Sequence, residues 1–431
     1  MADRSRYQEA PPPHPDLLAF VQDLYDQGIT NWRDVNTRLE QDESPWTFGS
    51  KSTFRRWRDK HGVSRPGPHY LQPLPYPSDH AIAEKIVALG RGFQSSGSRV
   101  IKAALSLEGM VVGEKRLRPI IKELYPDRAA GRIFGKRNIP RRPIGLFNGA
   151  NEQWSGDGHD KLRDWGFCFY GWRDVYSGQI IIMSLLPSNR DPQNTLWADL
   201  SLLLCPGFPR QIATDRGSET DQFSGTHAWL RQNYGQEVSP LIPVHRYLKS
   251  THNITIERCW RGLIKHVIEP VGEVIAQGRE EGGFVSTNDA HIRVFWFLFI
   301  PLVTDSLNKF IILHNHYKVR YQREKHNPSG CRRIDVWKRP EDFGGEQHLI
   351  PLTDEARGIL EVWSADAYRE GQMQWLTPAE YNICTAGLET LGWTERWSYE
   401  DVWALFSRLI AVVIDDLYLE LQRQSEEVDT D

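Results

Sequence analysis

Apolar positions recur at helical spacing over the first third of the chain, then change to short alternating or continuous apolar runs after about residue 150. Leu17, Leu18, Phe20, Val21, Leu24 and Tyr25 share one helical face over 16–27, and Gly28 ends that helix. Thr30 can cap a second helix, 31–41, with Trp32, Val35 and Leu39 inward. Ser50 or Ser52 can cap a third, running to about His61, where Lys51, Arg55, Arg56, Arg58 and Lys60 surround Phe54 and Trp57. Three short helices with a basic last one have the form of a helix-turn-helix module, 16–63, after a polar, proline-rich tail, 1–15. A proline-rich linker, 64–78, leads to a second such set over 79–127. Its helices are expected at 79–89, 99–107 and 114–124, and the last carries Lys115, Arg116, Arg118 and Lys122. Each set reads either as a DNA-binding module or as a small bundle with a solvated charged face.

Beyond a basic linker, 128–150, strands are expected at 153–157, 167–172 and 179–186, an antiparallel meander with a turn at 173–178. A helix follows at 192–204, a strand at 210–214 ending on Asp215, a helix at 222–233, a strand at 238–244 and a long helix over 251–271. This order predicts an α/β domain, 151–275, built on a mixed sheet. The region 276–425 reads as mainly helical, with helices at 291–304, 306–317, 354–372 and 399–423, before an acidic tail, 426–431. The most apolar run, 294–303, is too short to span a bilayer and reads as core, so no membrane partner is expected.

The net charge of −4 gives no sign of a polyanion partner, but the average hides segregation. Six basic residues and no acidic one lie within 128–150, Lys136, Arg137, Arg141 and Arg142 among them, while 415–431 holds seven acids. The five cysteines include no CxxC pair, which argues against a disulfide framework or a structural zinc site and fits a reducing compartment. No P-loop, GxSxG or HExxH pattern is present.

Three carboxylates stand in contexts that suit a divalent-metal site. Asp157 lies between glycines after Trp154, Asp215 ends an apolar strand, and Glu257 follows Asn253 by one helical turn. On the 251–271 helix, Ile256, Trp260, Leu263 and Val267 form a narrow apolar stripe and Arg258, Arg261 and Lys265 cluster elsewhere. Glu257 falls on the edge between them, where the helix leaves the core and meets a basic surface. The competing readings are ordinary: an i, i+4 ion pair from Glu257 to Arg261, and turn or capping roles for the two aspartates. Glu219 and Asp221 are weaker acids near Asp215. Asp160, Asp164 and Asp174 read as turn residues, and His159 and His245 as surface or satisfied side chains.

Segment 153–271 resembles the catalytic core of the retroviral-integrase and DDE-transposase superfamily, most of all the transposon-derived integrase-core proteins of eukaryotes. The resemblance rests on Trp154, Asp157, Gly158, Lys161 and Leu162; on Gly171, Asp174, Tyr176 and Ser177; on Asp215 and Gly217; and on Asn253, Glu257, Arg258 and Trp260. It implies a ribonuclease-H-like fold with Asp157 on the first strand, Asp215 after the fourth and Glu257 on the next helix. It further implies two Mg2+ or Mn2+ ions, bridged by Asp157 and completed by Asp215 and Glu257, with Asn253 supporting Glu257 or contacting DNA. Lys51, Arg55, Arg56, Arg58, Lys115, Arg116, Arg118, Lys136, Arg137, Arg141, Arg142, Lys249, Arg258, Arg261 and Lys265 are then the expected DNA-binding residues. The chain departs from the family in three ways. No His/Cys set forms an N-terminal zinc domain. The stretch before Glu257 is longer than usual, as an insertion near 231–248 would explain. Ser155-Gly156 replaces the customary hydrophobic pair before the first aspartate.

The expected function is a polynucleotidyl transferase, an integrase or transposase that joins mobile-element DNA to a target. It is expected to work as a homo-multimer on DNA, in the nucleus. Two alternatives remain: a domesticated or inactive copy that still binds DNA, and a regulatory protein that uses only the helix-turn-helix modules.

Overall fold

The computed structural model describes residues 11–26, 29–63, 77–94, 96–126, 147–203, 205–215, 221–235, 238–248, 254–281, 283–323, 325–370 and 374–428. Gly28, Lys136, Arg137, Arg141, Arg142, Gly217, Glu219, Lys249 and Asn253 lie outside them, with most of the two linkers. The chain divides into two compact units, Met1–Ile82 with Gly109–Val111, and Ala83–Glu108 with Val112–Asp431.

In the first unit, α1 (Pro15–Asp26), α2 (Trp32–Gln41) and α3 (Lys51–Lys60) close around Leu17, Val21, Tyr25, Val35, Leu39, Phe48, Phe54 and Trp57. The apolar spacing read from the sequence is the spacing that is buried. Asn31, not Thr30, caps α2, its side chain accepting from the Arg33 amide, while the Thr30 carbonyl accepts from the Tyr25 hydroxyl. Ser50 caps α3 through the Thr53 amide. Asn36 holds the loop between these helices with a pair of hydrogen bonds to the Phe48 backbone, 2.8 and 2.9 Å long.

Helix α4 (Asp79–Ala88) is followed by α5 (Ser98–Leu107) and α6 (Glu114–Leu124). In the second unit, α5 and α6 bury Ile101, Leu105, Leu117, Ile120 and Ile121, and Ser98 Oγ donates to Glu114 across the pair.

The five-stranded sheet comprises β1 (Gln153–Leu162), β2 (Phe167–Asp174), β3 (Ile180–Leu186), β4 (Gln211–Thr214) and β5 (His245–Tyr247), in the order β3-β2-β1-β4-β5. The first three are antiparallel, and β4 and β5 add in parallel. This is the mixed α/β sheet of the ribonuclease-H-like expectation. Strand β1 runs five residues further than the expected 153–157: no turn forms at Asp157, and the register breaks only between His159 and Leu162. The tolerance for Ser155-Gly156 has a physical reason. The Trp172 ring of β2 folds over Gly156, where a Cβ would lie 2.7 Å from its ring carbons. The last strand is His245–Tyr247 rather than 238–244, whose described residues form turns.

Alternation along β2 separates two helical layers. Phe167 and Phe169 join Leu162, Ile180 and Met183 against α9 (Ile254–Leu263), α10 (Glu269–Glu280) and α11 (Asp289–His316). Cys168, Tyr170 and Trp172 face the other way, with Trp154 and Leu186, against α7 (Pro192–Leu203), α8 (Asp221–Tyr234) and α13 (Asp354–Glu370). A π-helical turn, Ile264–Ile268, joins α9 to α10, so the single helix expected over 251–271 is broken in character. His266 in that turn lies between the Phe93 and Phe310 rings, and Ser96 Oγ is 3.4 Å from its Nε2.

Where two helices were expected, 291–304 and 306–317, one helix of 28 residues runs through Pro301. Its length and composition alone would let it cross a membrane, so the shorter run read from sequence understated it. Phe295, Leu298, Phe299, Val303 and Leu307 commit it to the core, against Leu405, Phe406 and Leu409 of α15 (Val402–Val428). Between α12 (Arg333–Lys338) and α15 lie α13 and an unforeseen helix, α14 (Pro378–Thr390), fixed by a capping box between Thr377 and Glu380.

Candidate functional site

Strand alternation decides where Asp157 points. Trp154 and Gly156 belong to the α7 side of β1, which leaves Ser155 and Asp157 on the side covered by α9. On α9, Ile256, Trp260, Leu263 and Val267 are buried as the stripe required, and Glu257 and Arg258 are exposed beside them. Asp215 follows the last residue of β4, a strand paired in parallel with β1, so the two aspartates emerge from neighbouring strands.

The charges of Asp215 and Glu257 reach the Asp157 carboxyl. Burial, with the charges of Asp215 and Glu257, pushes the Asp157 carboxyl up to about 7, against hydrogen bonds that favour its ionised form. Those bonds come from the Trp260 indole, whose Nε1–H donates to Oδ2 at 2.9 Å, and from the Gly158 amide, which donates to Oδ1 at 3.0 Å. Among the described residues no ion pair joins Glu257 to Arg261. Among them, too, no three His, Cys, Asp or Glu side chains already stand as a set around one point. The donor chemistry nonetheless fits a hard divalent cation: carboxylate oxygens alone, one of them raised in pKa first by burial and then by its like-charged neighbours.

Trp260 is the functional candidate that sequence reasoning missed, because its place in the apolar stripe explained it fully. His159 stacks on the same indole, ring centroids 5.1 Å apart, and burial lowers its pKa. His245 Nε2 lies 2.8 Å from Thr214 Oγ1. Asp174 proves to be the turn residue foreseen, accepting from the Asn151 and Ser177 amides. Asp160 is exposed, near Arg163 and Arg190.

The basic candidates lie on several helices. Lys51, Arg55 and Arg56 are exposed on α3, whereas the Arg58 guanidinium is tied to Asp59 and to the Tyr25 hydroxyl and lies over the Tyr25 ring. Lys115 and Arg118 are exposed on α6, with Arg118 paired to Glu114, and Arg116 is half-buried. Arg261 is exposed near Arg258, and Lys265 is half-buried in the π-helical turn.

The integrase core domain family matches residues 147–331. No curated protein matches the chain. Among solved structures, the HTLV-2 integrase catalytic core domain in complex with magnesium, in trimeric form, aligns at a TM-score of 0.26 and 20% identity, over 44% of this chain and 99% of that one. The simian T-cell lymphotropic virus intasome in complex with PP2A regulatory subunit B56 gamma aligns at 0.29 and 15%, over 63% and 77%. Over residues 147–331 the chain is similar to the integrase core domain family.

Proposed function

We propose that the chain is a polynucleotidyl transferase that carries out metal-dependent strand transfer in the integration of mobile-element DNA. The observation that carries this reading is the buried Asp157 carboxyl, raised to about 7 by burial and by the charges of Asp215 and Glu257, within the segment that matches the integrase core domain family. These three carboxylates would hold two Mg2+ or Mn2+ ions. The chemistry such a pair supplies is activation of a water or DNA 3′-hydroxyl and stabilisation of the leaving oxygen. Asp157 must give up its proton before it can ligate. Trp260 orients that carboxylate through its N–H, and its stacking on His159 limits the movement of both rings. Arg258, Arg261 and Lys265 bind phosphates beside the acids, and the basic helices α3 and α6 add further contacts to DNA. The working form is a homo-multimer in the nucleus, acting on element ends and a target.

The test is a strand-transfer assay with Asp157→Asn, Asp215→Asn and Glu257→Gln. Each should abolish Mg2+-dependent joining and spare DNA binding in a gel-shift experiment. If all three variants keep the biological activity, the chain instead acts as a regulatory DNA-binding protein.

A further inference from the structure

We propose that the loop after α11, residues 317–332, is a docking surface for a single-stranded nucleic-acid segment. Tyr321 supplies the stacking face for a base, and Lys318, Arg320 and Arg323 supply the phosphate contacts. Tyr321 is 70% exposed, more than any other described Tyr, Phe or Trp. The three cations are exposed within three residues of it. Among the described residues none of them is held in an ion pair. Over 318–333 the chain carries six basic residues and one acid, Glu324, which lies outside the described residues.

The ring is carried on a braced backbone. Lys318 forms an antiparallel bridge with Arg332, and the Val319 amide donates to the Cys331 carbonyl at 2.9 Å. The Gln322 amide donates to Ser329 Oγ at 3.0 Å, and that hydroxyl donates to the Gln322 carbonyl at 3.3 Å. Gly330 has a φ of +81°, and a Cβ there would lie 3.2 Å from Tyr321 Cβ and 3.3 Å from its Cδ2. One side of the tyrosine therefore rests on bare backbone, which only glycine leaves open at that φ. The loop is also tied to the β2–β3 turn, where the buried Asn327 donates through Nδ2 to the Val175 carbonyl at 2.8 Å. Val175 lies four residues beyond Gly171, the register partner of Asp157, which is about 13 Å along the strand.

A braced aromatic face left in water beside several cations matches one chemistry closely. A nucleic-acid strand alternates π-faces with phosphates, so one ligand meets the ring and the charges together. Paired bases hide their faces in a duplex, whereas unpaired bases offer them, so the ring favours a single strand. Stacking accepts any base, which suits a surface that guides a strand rather than reads its sequence. An anionic membrane would engage the cations and has no planar group to lie on the ring. The docking surface is argued from the loop alone. That the strand it holds is on its way to Asp157 rests on the polynucleotidyl-transferase reading.

The test uses the full chain in EDTA with a fluorescent single-stranded thymidine oligomer of about 12 nucleotides carrying 5-iododeoxyuridine. Ultraviolet light joins that base to an aromatic ring stacked on it, so the crosslink should map to Tyr321 by mass spectrometry. In fluorescence anisotropy, Tyr321→Ala should weaken binding about tenfold and Tyr321→Trp should keep it. Arg320→Ala combined with Arg323→Ala should weaken binding and reduce its salt dependence. Because the ring is exposed, Tyr321→Ala should leave the melting temperature nearly unchanged. Crosslinks confined to other residues, or unaltered binding by Tyr321→Ala, overturn the surface. So does a loss by Tyr321→Ala on anionic phospholipid vesicles but not on DNA, which would make the partner a membrane. Asp157→Asn should keep the crosslink. Strand transfer retained by Asp157→Asn, with the Tyr321 crosslink intact, would remove the metal-site reading alone.

Discussion

Two clusters of like charge, around Asp157 and around Arg173, the register partner of Ser155, occupy neighbouring stations on one sheet face, and they are held in opposite ways. In the acidic cluster Asp157 is anchored and Glu257 is exposed, and burial with the charges of its neighbours has pushed the Asp157 carboxyl up to about 7. In the basic cluster Arg333 is bound through both terminal nitrogens and Arg173 through Nε, and burial with mutual repulsion has pulled Lys325 down to about 8. Carboxylates can relieve their repulsion by taking up a proton near neutrality, which guanidinium groups cannot shed. The acidic cluster is thus adjustable and pH-sensitive, and the basic one is preset.

The largest effect should come from removing the anchored acid. Asp157→Asn should lower strand transfer by roughly a thousandfold, an order of magnitude expected when about 4 kcal/mol of transition-state stabilisation is lost. Next is the strand beneath it. Gly156→Ala should drive a Cβ into the Trp172 ring and destabilise the unit by about 1–3 kcal/mol, read from urea unfolding. If stability is unchanged, the close fit of β1 to β2 does not set the position of Asp157. The contrast in pH response can be measured directly. Because the folded pKa of Asp157 is raised, the metal-free protein holds this proton below about pH 7, and metal binding must displace it. Apparent Mn2+ affinity, followed by calorimetry, should rise by up to about tenfold per pH unit towards 7 and level off above it. The same carboxyl favours the metal-free fold at low pH, and that contribution is lost as pH rises through about 7; Asp157→Asn should flatten this slope. The smallest effect is that of Trp260→Phe. It keeps the ring and removes the N–H, so it should cost about 1 kcal/mol of stability and weaken Mn2+ binding severalfold near pH 7. Unaltered Mn2+ binding would show that Trp260 merely packs.

Much of this arrangement was legible in the chain, for reasons that differ by residue. The α9 stripe at Ile256, Trp260, Leu263 and Val267 was readable because one face of a helix must enter the core. The β2 alternation of Phe167 and Phe169 with Cys168 and Tyr170 serves two cores at once and so reads as a continuous run. The length of β1 was hidden because Gly156, Gly158 and Asp160 carry weak strand preference, and cross-strand pairing overrides it. The break expected at residue 305 does not form, because Val303 and Leu307 on either side of it both enter the core shared with α15. The hydrogen bond from Trp260 to Asp157 and the meeting of Arg173 with Arg333 are contacts between distant segments, and no local spacing encodes them.

The π-helical turn at Ile264–Ile268 makes the phase of the Glu257 helix separable from the anchorage of its continuation. Helix α10 is pinned where Trp403 Nε1 donates to the Val274 carbonyl, while α9 lays Trp260 against Asp157. A regular helix would force both duties onto one angular setting. The extra residue in the turn offsets the two segments by about 100°, so each can present its own face. A one-residue deletion within 264–268 would then turn Glu257 away from the aspartates without touching any of the three acids, much as a slipped gear tooth mistimes a valve.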